Sequence, residues 1–399
     1  MKQMVRSLIE KVRGIRNKFK YKRVVNSLDN SNDTVYVDLG ASNIKMSYQG
    51  EILTFRSSIR KVLLEDEITV QKNAIRCNGS WYIVGEASTP TGNYEYKYKK
   101  EYLEVLILFG LSMLGDKVNG ISENLKVNVL LPFNELSTKK KLGDKINGVY
   151  EVTYINTSGM QEFTTSITLG NVFAEGEASK VYIEKNYNTC GNLCVVNIGY
   201  STTEATLVNA LGNRENFISL NIGTNNLLSQ YLKYTKAPTS SILSSWLNDG
   251  YKFNKEEARS ISEVNKSYVS MLWNDIYNGV VRLSNPSNTT VVFCGGGSNL
   301  LLESFTDAIP KEYNIKTLTP LENTYSDLLG MILLSGNGTI EPTKIVPVEE
   351  ALVIKTNYDR FKELKEKGLE VKEISTITGL ALQTLRNYQV KYNKEIQAV

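Results

Sequence analysis

Two stretches of the chain follow the same plan, and this repeat restricts the possible folds more than any other feature of the sequence. The first runs from Val35 to Met46 and the second from Leu193 to Leu207. Each has an apolar strand, Asp or Asn, an apolar residue, glycine, small polar residues and a second strand, which predicts a β-hairpin with a polar, glycine-containing tip. A repeat separated by about 160 residues indicates a duplication that yields two similar domains facing each other.

The size and composition are those of a folded protein with room for two cores. The chain has 399 residues, of which 41% are hydrophobic and 22% charged, as in soluble globular proteins. The longest apolar run, Leu103 to Leu114, contains Glu104, Gly110 and Ser112 and is shorter than a membrane span. The basic N-terminus lacks an apolar signal core. These features favour a cytoplasmic protein.

The cysteine and histidine content excludes several kinds of site. Cys77, Cys190, Cys194 and Cys294 are the only cysteines, and the chain has no histidine. Cys190 and Cys194 therefore lack the further ligands that a zinc site needs, and we expect free buried thiols. Without histidine, Ser-His and Cys-His catalysis is excluded. Any catalysis must use carboxylates, amides, hydroxyls, lysines and a bound metal.

Between the repeated hairpins and after them, the pattern indicates an α/β protein in which strands come first and then alternate with helices. Residues 86 to 100 are polar and rich in tyrosine, which predicts a surface loop. The predicted helices are Leu103 to Leu114, Ser137 to Lys145, a segment from about 176 to Glu184, much of 252 to 283, and Tyr325 to Leu334.

Three positions between or within these elements have functional potential. Asp38 ends a strand, where a carboxylate can hold water around Mg²⁺. Glu175 lies where a strand meets a helix; it can orient an attacking water, or it is an ordinary acid favoured by the helix dipole. The turn Gly295-Gly296-Gly297 follows a buried strand, and its backbone can pack flat against a base or ribose.

Taken together, Asp38-x-Gly40, Asn197-x-Gly199-x-x-Thr202 and Gly295-Gly296-Gly297-Ser298 resemble the first phosphate, second phosphate and adenosine motifs of the actin, chaperone-ATPase and sugar-kinase superfamily. The similarity is greatest to bacterial actins of the ParM plasmid-segregation type and covers about residues 34 to 340. It implies an actin-like fold of two duplicated ribonuclease-H-like α/β domains, with ATP and Mg²⁺ in the cleft between them.

The resemblance also implies roles for individual residues. Asp38 would organise water on the magnesium, Glu175 would orient the attacking water, and Glu204 sits where the family often has a second acid. Asn197 replaces the usual aspartate, which removes one negative charge near the metal and predicts slower hydrolysis, a weaker metal site or an inactive nucleotide switch. The residues implied to contact the nucleotide are Gly40, Ser42, Asn43, Lys45, Gly199, Ser201, Thr202, Gly295, Gly296, Gly297 and Ser298.

The two ends of the chain lie outside this resemblance. Apolar residues recur at helical spacing over residues 2 to 20, which predicts an amphipathic helix with a basic face. It could dock on its own protein or a neighbouring subunit, on an anionic membrane surface or on nucleic acid. The expected domains are an arm and linker at 1–33, domain I at 34–190 completed by about 325–341, domain II at 191–324, a linker at 342–348 and an all-α tail at 349–399.

The tail resembles the helix-turn-helix of transposases and site-specific recombinases, because Ile374, Ile377, Gly379, Leu380 and Leu385 give two short helices joined by a tight turn. The alternative is a helical hairpin that docks on the filament core or binds another protein. In the first case the residues that face DNA would be Gln383, Thr384, Arg386, Asn387 and Tyr388.

The resemblance therefore predicts an actin-like ATPase that forms filaments with ATP and serves DNA segregation. Its partners would be further copies of itself, DNA bound directly by the tail or through an adaptor, and a membrane or protein bound by the N-terminal helix. The alternatives are a membrane-tethered scaffold filament of the MreB type and a non-polymerising small-molecule kinase on the same fold.

Overall fold

The structure is a computed structural model in which the chain separates into two compact units, Met1–Ile345 and Val346–Val399. It describes residues 20–23, 33–63, 73–85, 96–115, 118, 120–156, 159–187, 189, 191–211, 213–248, 253–301, 304–305 and 309–336, with single positions at 365, 371, 386, 388, 389 and 392. The described residues up to 336 all belong to the first unit.

The described strands of the first unit form two sheets. The larger sheet contains β1 (Lys20–Arg23), β2 (Thr34–Leu39), β3 (Asn43–Tyr48), β4 (Glu51–Arg56), β5 (Ile59–Lys61), β6 (Ala74–Cys77), β7 (Ser80–Val84), β8 (Asn124–Leu131), β9 (Gly148–Asn156) and β10 (Gly159–Ala174). The smaller sheet contains β11 (Asn192–Ile198), β12 (Thr203–Val208), β13 (Arg214–Leu220), β14 (Thr289–Cys294) and β15 (Asn314–Thr317).

The two sheets share one topology. Within the larger sheet the order β4-β3-β2-β8-β10 recurs as β13-β12-β11-β14-β15 in the smaller one. In both, the first three strands are antiparallel and the last two are added in parallel. The predicted duplication and the predicted α/β fold are therefore confirmed, with β2 and β11 as equivalent central strands that carry the two repeated motifs.

The described helices cover these sheets. They are α1 (Leu103–Gly115), α2 (Lys139–Ile146), α3 (Glu177–Asn186), α4 (Thr224–Tyr231), α5 (Ser240–Asn248), α6 (Lys255–Ile276) and α7 (Pro320–Leu334). Helix α1 is buried along most of its length, as its apolar sequence predicts. Helix α7 begins at Pro320, before the predicted start at Tyr325, because Thr319 and Glu322 form a capping box around a proline at the first helical position.

Helices α3 and α7 connect the two halves of this unit. Their buried apolar side chains share one core cluster with Tyr36 and Leu130 of the larger sheet and with Val195 and Val292 of the smaller sheet. The helices cross at Gly330, where a Cβ atom would lie closer than 3.0 Å to backbone atoms of Ala178. Only glycine allows this approach, so the crossing depends on one residue.

The N-terminal arm differs from its prediction where it is described. Lys20–Arg23 is strand β1, which pairs antiparallel with β4 at the edge of the larger sheet, so the helix predicted over residues 2 to 20 is wrong at its last residue. Pairing with β4 satisfies backbone groups that an isolated strand would leave open. Residues 2 to 19 lie outside the described residues.

Two other predictions concern cysteines and membrane crossing. Cys77, Cys194 and Cys294 are buried free thiols, as predicted, and Cys190 lies outside the described residues. Among the helices that the structure describes, none has both the length and the apolar character needed to cross a membrane.

Candidate functional site

The first repeated hairpin places a buried carboxylate among ammonium groups. Asp38 and Lys45 are cross-strand partners in β2 and β3, so their side chains lie on the same face. Lys45 Nζ lies 2.7 Å from Asp38 Oδ2, and Lys97 Nζ lies 3.7 Å from Asp38 Oδ1. Burial alone would raise the pKa of Asp38, but the charges of Lys45 and Lys97 outweigh it and hold this pKa below its ordinary value.

Lys97 comes from a turn that the sequence did not connect with the site. The turn is anchored by Glu135, whose Oε2 accepts the backbone N–H of Lys97 at 2.7 Å. Lys100 donates from Nζ to the carbonyl oxygen of Gly40 at 2.9 Å. Burial and the nearby charge of Lys97 lower the pKa of Lys100 to about 7. The predicted surface loop is therefore wrong at residues 97 and 100, because both side chains turn inward to the first hairpin.

Lys97 bridges Glu175 and Asp38. Glu175 follows the end of β10 and precedes the start of α3, and it forms an ion pair with Lys97. Burial raises the pKa of Glu175 to about 7, although the charge of Lys97 opposes the shift. A carboxyl group with such a pKa is suited to accept a hydrogen bond or a proton near neutral pH.

The second repeated hairpin forms a tight loop against helix α4. The N–H of Gly199 donates to Thr202 O at 2.9 Å, and the N–H of Thr224 donates to Gly199 O at 3.0 Å. Ser201 Oγ is buried and has no hydrogen-bond partner among the described residues. A buried hydroxyl without a partner is costly unless a ligand or water satisfies it. The loop is thus suited to receive a polar ligand.

Glu204 is a second carboxyl group of this hairpin without a partner. It is 2% exposed, and neither Oε1 nor Oε2 has a hydrogen-bond partner in the described part of the chain. Burial raises the pKa of Glu204 well above its ordinary value, and the nearby charge of Glu175 raises it further. Burial therefore favours the protonated form of Glu204, and the charge of Glu175 acts in the same direction.

The raised pKa of Glu204 predicts a pH-dependent stability. The folded state retains this proton at pH values at which the unfolded chain has released it, so stability falls as pH rises from the unfolded pKa toward the folded one. We expect Glu204→Gln to raise the melting temperature at about pH 8, because each unit of pKa shift is worth about 1.4 kcal/mol. The gain should disappear at about pH 4. A gain of equal size at both pH values, measured by thermal unfolding, would refute the burial of a proton here.

Asn197 ends β11 at the position that Asp38 holds in β2. Its Nδ2 donates to Asp327 Oδ2 at 2.6 Å. Asp327 also accepts from Ser179 Oγ at 2.7 Å and from the N–H of Gly176 at 3.2 Å. Asp327 lies on α7 and was not among the residues singled out from the sequence. Within the predicted helix Tyr325 to Leu334, Asp327 is the only charged residue, and this was the signal that could have identified it, because a charge is rarely buried without a role.

The glycine-rich turn after β14 lies against the end of β11. Gly295 has φ +82°, and a Cβ atom there or at Gly297 would lie closer than 3.0 Å to backbone atoms of Ile198. Packing against Ile198 thus explains both glycines without a ligand. Only Gly296 of the three has no atom near its Cβ position. Ser298 is buried and its Oγ donates to Cys294 O at 2.5 Å, so its hydroxyl is engaged within the protein.

The remaining predicted residues of the first hairpin are accessible. Asn43 is exposed, Ser42 is partly exposed, and Asn43 Nδ2 donates to Ser42 Oγ at 3.3 Å. In the tail, Arg386 and Tyr388 are at helical positions. Gln383, Thr384 and Asn387 lie outside the described residues.

The assembled groups suit an anion better than a metal ion held directly by the protein. Lys45 and Lys97 supply positive charge at the first hairpin, and Ser201 supplies an unsatisfied hydroxyl at the second. Among the described residues no group of three or more Cys, Asp or Glu side chains is arranged to ligate a metal.

Comparisons with known proteins give the fold. No family model and no curated protein sequence matches the chain. Solved structures do match over 76% of the chain. One is the archaeal actin homologue Ta0583 in complex with ADP, with 16% identity, 99% of that chain covered and a TM-score of 0.59. Another is the actin-like protein Alp7A, with 14% identity, 95% of that chain covered and a TM-score of 0.60. A 15-stranded ParM filament from Clostridium botulinum also matches over 76% of the chain, with 15% identity, 99% of that chain covered and a TM-score of 0.59.

These matches agree with the two duplicated sheets. Since the identities are 14 to 16%, they establish the fold and not the activity. The predicted resemblance is confirmed at this level: the chain has the fold of the actin-like proteins.

Proposed function

We propose that the protein binds ATP between its two repeated hairpins, hydrolyses it and assembles into filaments. The observation that carries the proposal is the group of largely buried lysine side chains, Lys45, Lys97 and Lys100, around the first hairpin. Charged groups are buried only when paired or when they serve a ligand. Phosphates are the anions that such a group and glycine-bearing loops recognise.

Each loop has a part in this proposal. Lys45 and Lys97 would neutralise phosphate oxygens, and the second hairpin would offer the N–H groups of residues 200–202 and the Ser201 hydroxyl. Magnesium bound to the phosphates would neutralise the charge that develops on transfer, with Asp38 orienting its water. At the glycine-rich turn, Gly296 is the position with open space beside its backbone, where an adenosine group would fit.

Glu175 would act on the attacking water. Its carboxylate is held by Lys97, and its pKa of about 7 allows it to accept a hydrogen bond from water and to share the departing proton. Glu204, whose burial favours the protonated form, would keep a second negative charge away from the incoming phosphate. The chain thus supplies position and charge, which carry most of the catalysis in phosphoryl transfer.

Filament assembly is supported by the similar structures. The ParM structure from Clostridium botulinum and the Alp12 structure are described as filaments. DNA segregation is the proposed role of these filaments. It is supported by the helix-turn-helix-like tail and the basic arm predicted from the sequence, with DNA bound directly or through an adaptor.

Assembly should depend on nucleotide. We expect the purified protein to pellet and scatter light with ATP and Mg²⁺, and to remain in the supernatant without nucleotide. Electron microscopy of the pellet should show filaments. Absence of a polymer with ATP, ADP and no nucleotide alike would refute assembly, and would favour the alternative of a non-polymerising kinase.

The ends of the chain can be tested on the same preparation. Removal of residues 349–399 should abolish retardation of DNA and leave pelleting intact, whereas unchanged retardation would exclude the tail as the DNA contact. If the protein is instead a membrane-tethered scaffold, it should float with anionic liposomes only while residues 1–23 are present.

A further inference from the structure

The two repeated hairpins differ in the residue near the strand end and in the side chain that pairs with it. Asp38 in β2 and Asn197 in β11 each precede the motif glycine by two positions, and β2 and β11 are equivalent in the two sheets. Asp38 is paired with Lys45 at 2.7 Å. Asn197 instead donates from Nδ2 to Asp327 Oδ2 at 2.6 Å. A carboxylate is therefore present at both strand ends, but the second one comes from helix α7.

The hydrogen bonds of Asp327 determine the orientation of the Asn197 amide. An ionised carboxylate only accepts hydrogen bonds, so the NH₂ group of Asn197 must face Asp327 and its Oδ1 must face away. In that direction lies the glycine-rich turn, since a Cβ atom at Gly295 would lie closer than 3.0 Å to Asn197 Oδ1. Asn197 thus presents a carbonyl oxygen toward the turn after β14.

Asp327 also connects the second hairpin to the segment that carries Glu175. Its Oδ1 accepts from Ser179 Oγ at 2.7 Å and from the N–H of Gly176, the residue after Glu175, at 3.2 Å. Asp327 is 5% exposed. Its negative charge contributes to raising the pKa of Lys45 and of Glu175. It therefore belongs electrostatically to the site although it lies on neither hairpin.

We propose that Asn197 and Asp327 are an exchanged pair, which means that the amide is on β11 and the carboxylate is on α7. Asp327 supplies the carboxylate charge that β11 lacks, and it positions the amide oxygen of Asn197 at the strand end. Asp327 acts as a positioning residue for the second hairpin. Its charge acts on the phosphate-bound cation of the site, and this second part rests on the proposed function. With asparagine at position 197, the negative charge of the site therefore lies on α7 and is not lost.

The pair can be tested without any ligand by a double-mutant cycle. N197D places two carboxylates against each other and should lower the melting temperature by about 4 °C or more. The double variant N197D/D327N restores every donor and acceptor, because the amide introduced on α7 would donate to the carboxylate introduced on β11 and accept from Ser179 and Gly176. It should recover at least half of the loss. Asn213→Asp, at an exposed position, adds the same charge and should change the melting temperature by less than about 1 °C.

The role of the charge is tested by calorimetric titration with ADP, with and without Mg²⁺. D327N keeps the side-chain shape, so a purely structural role predicts an unchanged effect of Mg²⁺ on ADP affinity. The proposal predicts that D327N reduces this effect about tenfold, equivalent to about 1.4 kcal/mol. The double variant should return it to within about threefold of the wild type.

The outcomes separate this inference from the proposed function. Additive losses in the double variant, or an undiminished effect of Mg²⁺ in D327N, would overturn the exchanged pair. If the wild type does not bind ADP, the proposed function fails, and the pairing of Asn197 with Asp327 is judged by the ligand-free cycle alone.

Discussion

Replacing Gly330 with alanine is expected to destabilise the protein by at least about 3 kcal/mol, the upper part of the usual range for overpacking. The added Cβ would lie closer than 3.0 Å to backbone atoms of Ala178. Neither helix can accommodate this by rotating a side chain, so α3 and α7 must separate. The measurement is chemical denaturation followed by circular dichroism.

The sign of this effect is informative because helix propensity predicts the opposite. Within a helix, alanine is favoured over glycine by about 1 kcal/mol, so Gly330→Ala would stabilise α7 if the helix were not packed. Gly296→Ala is the matched control, since no atom lies within 4 Å of its Cβ position. We expect the control to change stability by less than about 1 kcal/mol. Equal effects of the two substitutions would contradict the close crossing of α3 and α7.

Replacing Glu175 with glutamine is expected to slow ATP hydrolysis about 100-fold or more, the usual loss when a group that orients or deprotonates water is removed. Glutamine preserves the size of the side chain but cannot accept a proton, and it leaves Lys97 with Asp38 as its remaining close carboxylate partner. ATP affinity should stay within about threefold. Phosphate release measures the rate, and pelleting should show polymers that persist longer with ATP.

The matched control for this prediction lies two residues further along the chain. Glu177 is an acid of the same segment, but it is partly exposed and pairs with Arg214 at 3.1 Å. Glu177→Gln should therefore leave the hydrolysis rate within about twofold of the wild type. A Glu175→Gln rate within about threefold of the wild type would remove the proposed role of Glu175.

The sequence predicted those parts of the site that depend on local pattern. Residues 38 to 45 and 197 to 204 alternate and contain the turn glycines that a hairpin needs, and both hairpins form in the predicted places. The sequence also predicted that strands come first and then alternate with helices, but it did not predict α5 or β15 of the second half. Glu175 is predictable as a helix-start acid, and the resemblance implies its role in orienting the attacking water.

The sequence did not predict the partners that come from distant segments. Lys97 is one of several lysines in a polar run, and nothing local distinguishes it from Lys99, which is exposed. Its inward position depends on the anchoring of its turn by Glu135. The glycines at 295 and 297 were read as room for a nucleotide, whereas their contact with Ile198 arises only when β14 packs beside β11.

The asparagine at position 197 shows which part of the site can be predicted from the sequence and which part depends on the tertiary structure. Hairpin formation is local, so its residues can be identified in the sequence. By sequence alone, the second hairpin has one negative charge fewer than the first. The tertiary structure restores a carboxylate at that position through Asp327, which is separated from Asn197 by 130 positions. Local pattern thus determined the two hairpins and the duplicated fold. The charge balance between them was decided only by the packing of α7 against both sheets, because electrostatic interactions depend on distance in space and not along the chain.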